Sequence, residues 1–274
     1  MQQRLVCIGV DGLSYKHVMA QLRYLPTFHR LFRMGCGGPL SVGQPVVTCE
    51  AWLEFLTGST RESRAAWSSR RKRTALLWNH LAGAGVTVAA VNVPLPVEAG
   101  PIEGTFEPRL CPFLLRETCP RPEDVLMQAE DSFRQAVDIC QRQSPDLLLF
   151  GLPPADLIGR GPRSERETFL VAHKSVDSIV GRMINALDPS YVVVFSPFAT
   201  ERGTKTRPGQ ASEEDALWVI NGDDVVAGER IGARLVDLLP TMLNLLDILI
   251  PSEPCMDGES LYETIHGELA AAKA

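Results

Sequence analysis

The sequence predicts an α/β protein built on one doubly wound, mostly parallel sheet flanked by helices. Four apolar runs, Val6 to Val10, Val88 to Val93, Leu147 to Leu152 and Tyr191 to Phe195, lack the alternation of a half-exposed strand and read as strands buried on both faces. Helical patterns separate them. The clearest is Glu123 to Arg142, with Val125, Leu126, Ala129, Phe133, Ala136, Val137 and Cys140 on one face. Strands alternating with helices of this length build parallel sheets. At 274 residues, 45% hydrophobic and 22% charged, the chain suits a single domain over 1–274.

Taken in order, the first strand ends in Asp11-Gly12, at the edge where open α/β sheets bind ligands. Tyr15 to Met34 reads as two short helices interrupted by Pro26, and Gly35-Cys36-Gly37-Gly38-Pro39 as a turn. Leu40 to Val47 is an extended segment leading to Thr48, and Glu50 to Leu56 a helix stopped at Gly58. Thr74 to Ala84 is a helix ended by Gly85, and Val86 to Val93 a strand ended by Pro94. Phe169 to Leu187 is another helix, Leu217 to Ile220 a short strand, and Ile231 to Leu246 a helix. Three irregular excursions are expected at about 59–73, 94–122 and 199–216. The first, with Arg61, Arg64, Arg70, Arg71, Lys72 and Arg73, reads as a solvated loop, and the last as a mobile one.

The net charge of −6 argues against general nucleic-acid binding. No apolar run approaches the roughly 20 residues of a membrane helix, and Met1-Gln2-Gln3-Arg4 opens without a leader pattern, so a cytoplasmic protein with no membrane partner is expected. Seven cysteines without a CxxC pair suggest neither a disulfide framework nor a zinc ribbon.

Thr48 follows Pro45-Val46-Val47 and precedes helix formers, so it falls where a loop becomes a helix N-terminus. Free backbone N–H groups gather there and favour an anion. Thr48 is therefore either a simple N-cap or a hydroxyl presented beside an oxyanion pocket.

The order Asp11-Gly12, Leu25-Pro26-Thr27-Phe28, Gly35, Pro45 to Trp52, Thr57-Gly58 and Asn92-Val93-Pro94 resembles the alkaline phosphatase superfamily. The nearest branch is the type I phosphodiesterase and nucleotide pyrophosphatase group. The closing series Asp237, Pro240-Thr241, Pro251, Asp257-Gly258 matches as well, in a structural role. The resemblance implies an alkaline-phosphatase-like fold, a metal-ligand role for Asp11, a nucleophile role for Thr48, and two metal ions, usually zinc.

The departures fall on the ligands. After Leu147 to Leu152 the family has an Asp and, four residues on, a His; here Asp156 is followed by Arg160. After Tyr191 to Phe195 it has Ser-Asp-His-Gly; here Ser196 is followed by Pro197 and Phe198. The His expected before Trp218 is missing, and Lys205 and Arg207 occupy that loop. His17, His29, His80, His173 and His266 fall in expected helices or the tail.

What survives is Asp11, Thr48 and Asp156, oxygen donors suited to one hard cation, magnesium or manganese rather than zinc, or to none. Arg160, Lys205 and Arg207 put fixed positive charge where cations would sit, and Arg forks suit phosphate or sulfate. Cys49 has no histidine placed to activate it. The sequence thus points to a non-catalytic anion binder or partner subunit of another protein. The alternative is a phosphodiesterase, related hydrolase or group transferase using Thr48 with a reduced Asp11/Asp156 site.

Overall fold

The computed structural model describes residues 4–43, 48–62, 64–65, 75–94, 104–108, 121–159, 166–200, 215–250, 252 and 256–267. The order of elements is β1 (Leu5–Val10), α1 (Tyr15–Gln21), a 3-10 turn (Leu22–Tyr24), α2 (Pro26–Met34), β2 (Cys36–Ser41), α3 (Thr48–Thr57), α4 (Leu77–Ala82), β3 (Val88–Val93) and β4 (Gly104–Pro108). There follow α5 (Pro122–Gln143), β5 (Leu147–Leu152), α6 (Pro154–Gly159), α7 (Arg166–Leu187), β6 (Tyr191–Phe195), β7 (Ala216–Gly222), β8 (Gly228–Glu229), β9 (Ala233–Arg234), a 3-10 turn (Leu235–Asp237), α8 (Leu238–Leu245) and α9 (Tyr262–Ile265).

Among the described residues one sheet runs β4-β3-β5-β1-β6-β7-β2-β8, with β9 also paired to β2. Among the described strands only β7 opposes the rest, pairing antiparallel with both β6 and β2. The four strands expected from their apolar runs are neighbours, and every residue of β1, β3 and β5 is buried. Alternate strand residues feed two cores. One face packs Trp52, Phe55, Leu77, Trp78 and Leu239. The other packs Val18, Phe28, Ala136, Val176 and Met183. Thus α3, α4 and α8 cover one face, and α1, α2, α5 and α7 the other.

Three stretches differ from their sequence reading. Cys36-Gly37-Gly38-Pro39 is not a turn but the start of β2: a Cβ on Gly37 would lie 2.5 Å from the Trp218 carbonyl, and one on Gly38 2.0 Å from that of Arg230. Glycine here permits close strand approach rather than a bend. Within the 94–122 excursion, β4 pairs parallel with β3 at the sheet edge. The helix expected from Ile231 starts only at Leu238, because Ala233 and Arg234 pair with Leu40 and Ser41 of β2.

The closing series locks the fold. Asp237 accepts hydrogen bonds from the backbone N–H of Arg234 at 2.8 Å and of Glu259 at 2.9 Å. Thr241 donates to the Asp237 carbonyl at 2.6 Å and accepts from the Leu261 N–H at 2.8 Å. Asp257 accepts from the Thr60 N–H at 2.7 Å, tying the tail to the end of α3.

Candidate functional site

The C-terminal ends of β1, β5 and β6 meet at one edge, and hydrogen bonds weld the segments leaving them. The Asp11 carbonyl accepts from the Asp156 N–H at 3.0 Å, and Gly12 exchanges bonds with Phe198 and Thr200 at 3.1 and 3.2 Å. Gly12 has φ +89, and a Cβ there would lie 2.7 Å from the Asp156 backbone. That closeness sets the two carboxylates on neighbouring turns. Asn92, at φ 58, closes the β3 end by donating to the Gly151 carbonyl at 2.7 Å.

Both carboxylates are buried, and both accept from neutral donors of this chain. Oδ1 of Asp11 accepts the indole N–H of Trp52 at 2.8 Å. Oδ1 of Asp156 accepts the Thr200 hydroxyl at 2.5 Å. Trp52 is 0% exposed and stacks edge-on against Phe55 and Phe195, with centroids 6.0 and 5.7 Å away. Phe198 is also fully buried, in the same core as Trp52. Ser196 accepts from the Leu13 N–H at 3.0 Å and donates to the Phe198 carbonyl at 2.6 Å, so its hydroxyl braces the loop.

Thr48 is the first residue of α3 and half-buried. It stands one turn before Trp52, so the two share a helix face. Residues 44–47, which deliver Thr48, lie outside the described residues. So do Arg160, Lys205 and Arg207, the expected anion-binding set.

Behind Thr48 the basic stretch is not wholly solvated. Arg64 is 8% exposed, pairs with Glu50 at 2.8 Å and donates to the Ser59 carbonyl. Two α3 carboxylates explain its burial: Glu50, and Glu54, which accepts from the Arg61 N–H at 3.2 Å. Burial pushes the Glu54 carboxyl above its usual range against the pull of Arg64. Residues 66–73 lie outside the described residues. The expected mobile loop at 199–216 is likewise anchored at its start, where Thr200 is buried against Asp156. Among the described residues no three His, Cys, Asp or Glu gather in a way that could hold a metal ion.

No protein-family model matches the chain. Over 151 residues, 52% of this chain, it is 27% identical to a 2,3-bisphosphoglycerate-independent phosphoglycerate mutase of Shewanella halifaxensis; the match spans about a quarter of that relative, 27% of its length. A 2-O glycosaminoglycan sulfatase structure superposes with a TM-score of 0.70 at 12% identity, over 97% of this chain and 75% of that one. Human ectonucleotide pyrophosphatase/phosphodiesterase 5 superposes with a TM-score of 0.66 at 11% identity, over 95% and 99%. The fold is that of the alkaline phosphatase superfamily. Within this superfamily fold, the edge carrying Asp11 and Asp156 is the one the sequence resemblance assigns to the chemistry. Trp52 and Thr200 are the two residues at that edge that sequence reasoning missed. Only the aromatic in an otherwise ordinary helix start hinted at the first; nothing hinted at the second. No described helix is long and apolar enough to cross a membrane.

Proposed function

We propose that the chain is a non-catalytic oxyanion binder on an alkaline phosphatase superfamily scaffold, acting alone or as the partner subunit of another protein. The observation that carries the reading is the Trp52 indole N–H on Oδ1 of Asp11. An N–H donor there competes with any cation for the carboxylate lone pair, and a buried donor left without an acceptor costs about 1–3 kcal/mol. Thr200 competes for Asp156 in the same way. Pro197 and the buried Phe198 supply no ligand where the family has a carboxylate and an imidazole. A pair of zinc ions does not fit this donor set; no cation, or one magnesium or manganese held mostly by water, does.

Thr48 then has no means of ionisation, since a hydroxyl needs a base or a metal to become a nucleophile. The helix N-terminus that presents it still favours an anion. Glu50 in its first turn opposes one, and the Arg64 guanidinium offsets that charge. Arg160, Lys205 and Arg207 would add positive charge on the loops that border the edge. The relatives' names, a phosphoglycerate mutase, a sulfatase and a nucleotide pyrophosphatase, support a phosphate- or sulfate-bearing ligand. The test is metal analysis after dialysis against zinc and then against manganese. The reading expects at most one equivalent of either, and two tightly held zinc ions would overturn it.

A further inference from the structure

On the sheet face opposite α3, a cavity of about 320 Å3 opens between α1, the 3-10 turn after it and α7. Among the described residues its lining includes His17, Gln21, Arg23, Tyr24 and Phe169 and no carboxylate. The volume is that of a small-molecule site. The Arg23 guanidinium lies 4.6 Å and the Lys174 ammonium 5.2 Å from the centroid of the Tyr24 ring. Neither cation belongs to an ion pair among the described residues. In a chain with a net charge of −6, one cation on the lining and a second beside the Tyr24 ring that lines it are a local reversal of sign.

The support behind the lining is built as well as its rim. His173 is 1% exposed, and its Nδ1 lies 3.0 Å from Oε1 of Gln21. That bond makes Nδ1 the donor and occupies the Gln21 oxygen, which leaves the Gln21 amide N–H groups for the cavity. Nε2 of the same ring is buried without a hydrogen-bond partner. Phe169, 3% exposed, fixes both imidazoles, with centroids 5.7 Å from His17 and 4.3 Å from His173. The set is therefore cations and amide donors above an aromatic floor.

We propose that this cavity binds a small organic oxyanion, a phosphate or sulfate monoester with an apolar or aromatic body. Arg23 and Lys174 pair with the anionic group, Gln21 donates to it, and Phe169 and Tyr24 take the organic part. None of Asp11, Thr48 and Asp156 lines this cavity, and the site does not rest on the proposed function.

The test is calorimetric titration of the full chain with phenyl phosphate, phenyl sulfate, inorganic phosphate and inorganic sulfate, with the His17 and His173 imidazole signals followed by NMR. At least one ester is expected to bind, to shift the His17 signal, and to bind more tightly than its inorganic anion. The exposed-residue double variant Arg23→Ala/Lys174→Ala should weaken it about tenfold or more, the scale of a charge-assisted hydrogen bond. Thr48→Ala should leave the ester concentration that half-shifts the His17 signal within about twofold. No shift of His17 with any probe, or equal affinity for ester and inorganic anion, overturns the proposal. So does binding weakened by Thr48→Ala and untouched by the double variant.

Discussion

Gly9 makes room for the residue that occupies the candidate site: a Cβ on Gly9 would lie 2.3 Å from Cη2 and 2.7 Å from Cζ2 of Trp52. The indole slides over β1 at the one position without a side chain and reaches Asp11 two residues on. Gly9→Ala should therefore destabilise the wild type by about 1–3 kcal/mol through overpacking. The same change should cost less in a Trp52→Phe background, where the ring is shorter. A double-mutant cycle by denaturant unfolding measures the difference, and additive effects would show that Gly9 and Trp52 do not compete for the space.

Trp52→Phe alone keeps the aromatic packing and removes one donor from a buried carboxylate. The expected loss is about 1–3 kcal/mol at pH 7. The measurement is the urea midpoint at constant slope. An unchanged midpoint would mean that the indole N–H contributes nothing net to holding Asp11.

Arg64 and Arg61 are close in sequence and differ in surroundings. Arg64→Met removes a buried guanidinium from Glu50 and the Ser59 carbonyl and should cost about 1–3 kcal/mol. The exposed Arg61 contributes its backbone N–H to Glu54, so Arg61→Met should stay within about 0.5 kcal/mol. Thermal unfolding of the two variants distinguishes a packed basic stretch from a solvated one.

Burial, with the neighbouring His17 adding to it, pulls His173 down to about 4. An unfolded histidine titrates near 6.5. Between those values the unfolded chain binds a proton that the folded chain refuses. The contribution is thus present above about pH 6.5 and is lost as pH falls toward 4. At 1.36 kcal/mol per unit it amounts to about 3 kcal/mol at most. Unfolding free energies at several pH values across that window should fall more steeply for the wild type than for His173→Gln. Parallel curves would contradict a buried neutral His173.

The buried strands were legible because a strand covered on both faces must be apolar throughout, as Leu147 to Leu152 is. β2 was not, because Gly37 and Gly38 carry the same signature in a turn as in a strand pressed against β7. Asp11 and Asp156 could be placed at one edge from the ends of β1 and β5. Their partners could not: Trp52 reaches Asp11 from 41 residues away, and Thr200 reaches Asp156 from 44. Such bonds depend on Gly9 and on the loop after β6, which no local pattern encodes. The cavity at Tyr24 was hidden for a related reason, since His17 and His173 sit in helices where a packing role is the ordinary one.

The central claim, that the superfamily fold here lacks its hydrolytic chemistry, is tested most directly by turnover of aryl phosphate monoesters, aryl phosphodiesters and aryl sulfates with added zinc, magnesium or manganese, comparing the wild type with Thr48→Ala. On the proposed reading Thr48 has no metal or base to ionise it, and each missing 1.36 kcal/mol of barrier lowering is a factor of ten in rate. Both proteins should stay at the background rate with every metal. Metal-dependent turnover by the wild type that Thr48→Ala abolishes would contradict the claim and make Asp11, Thr48 and Asp156 a working reduced site.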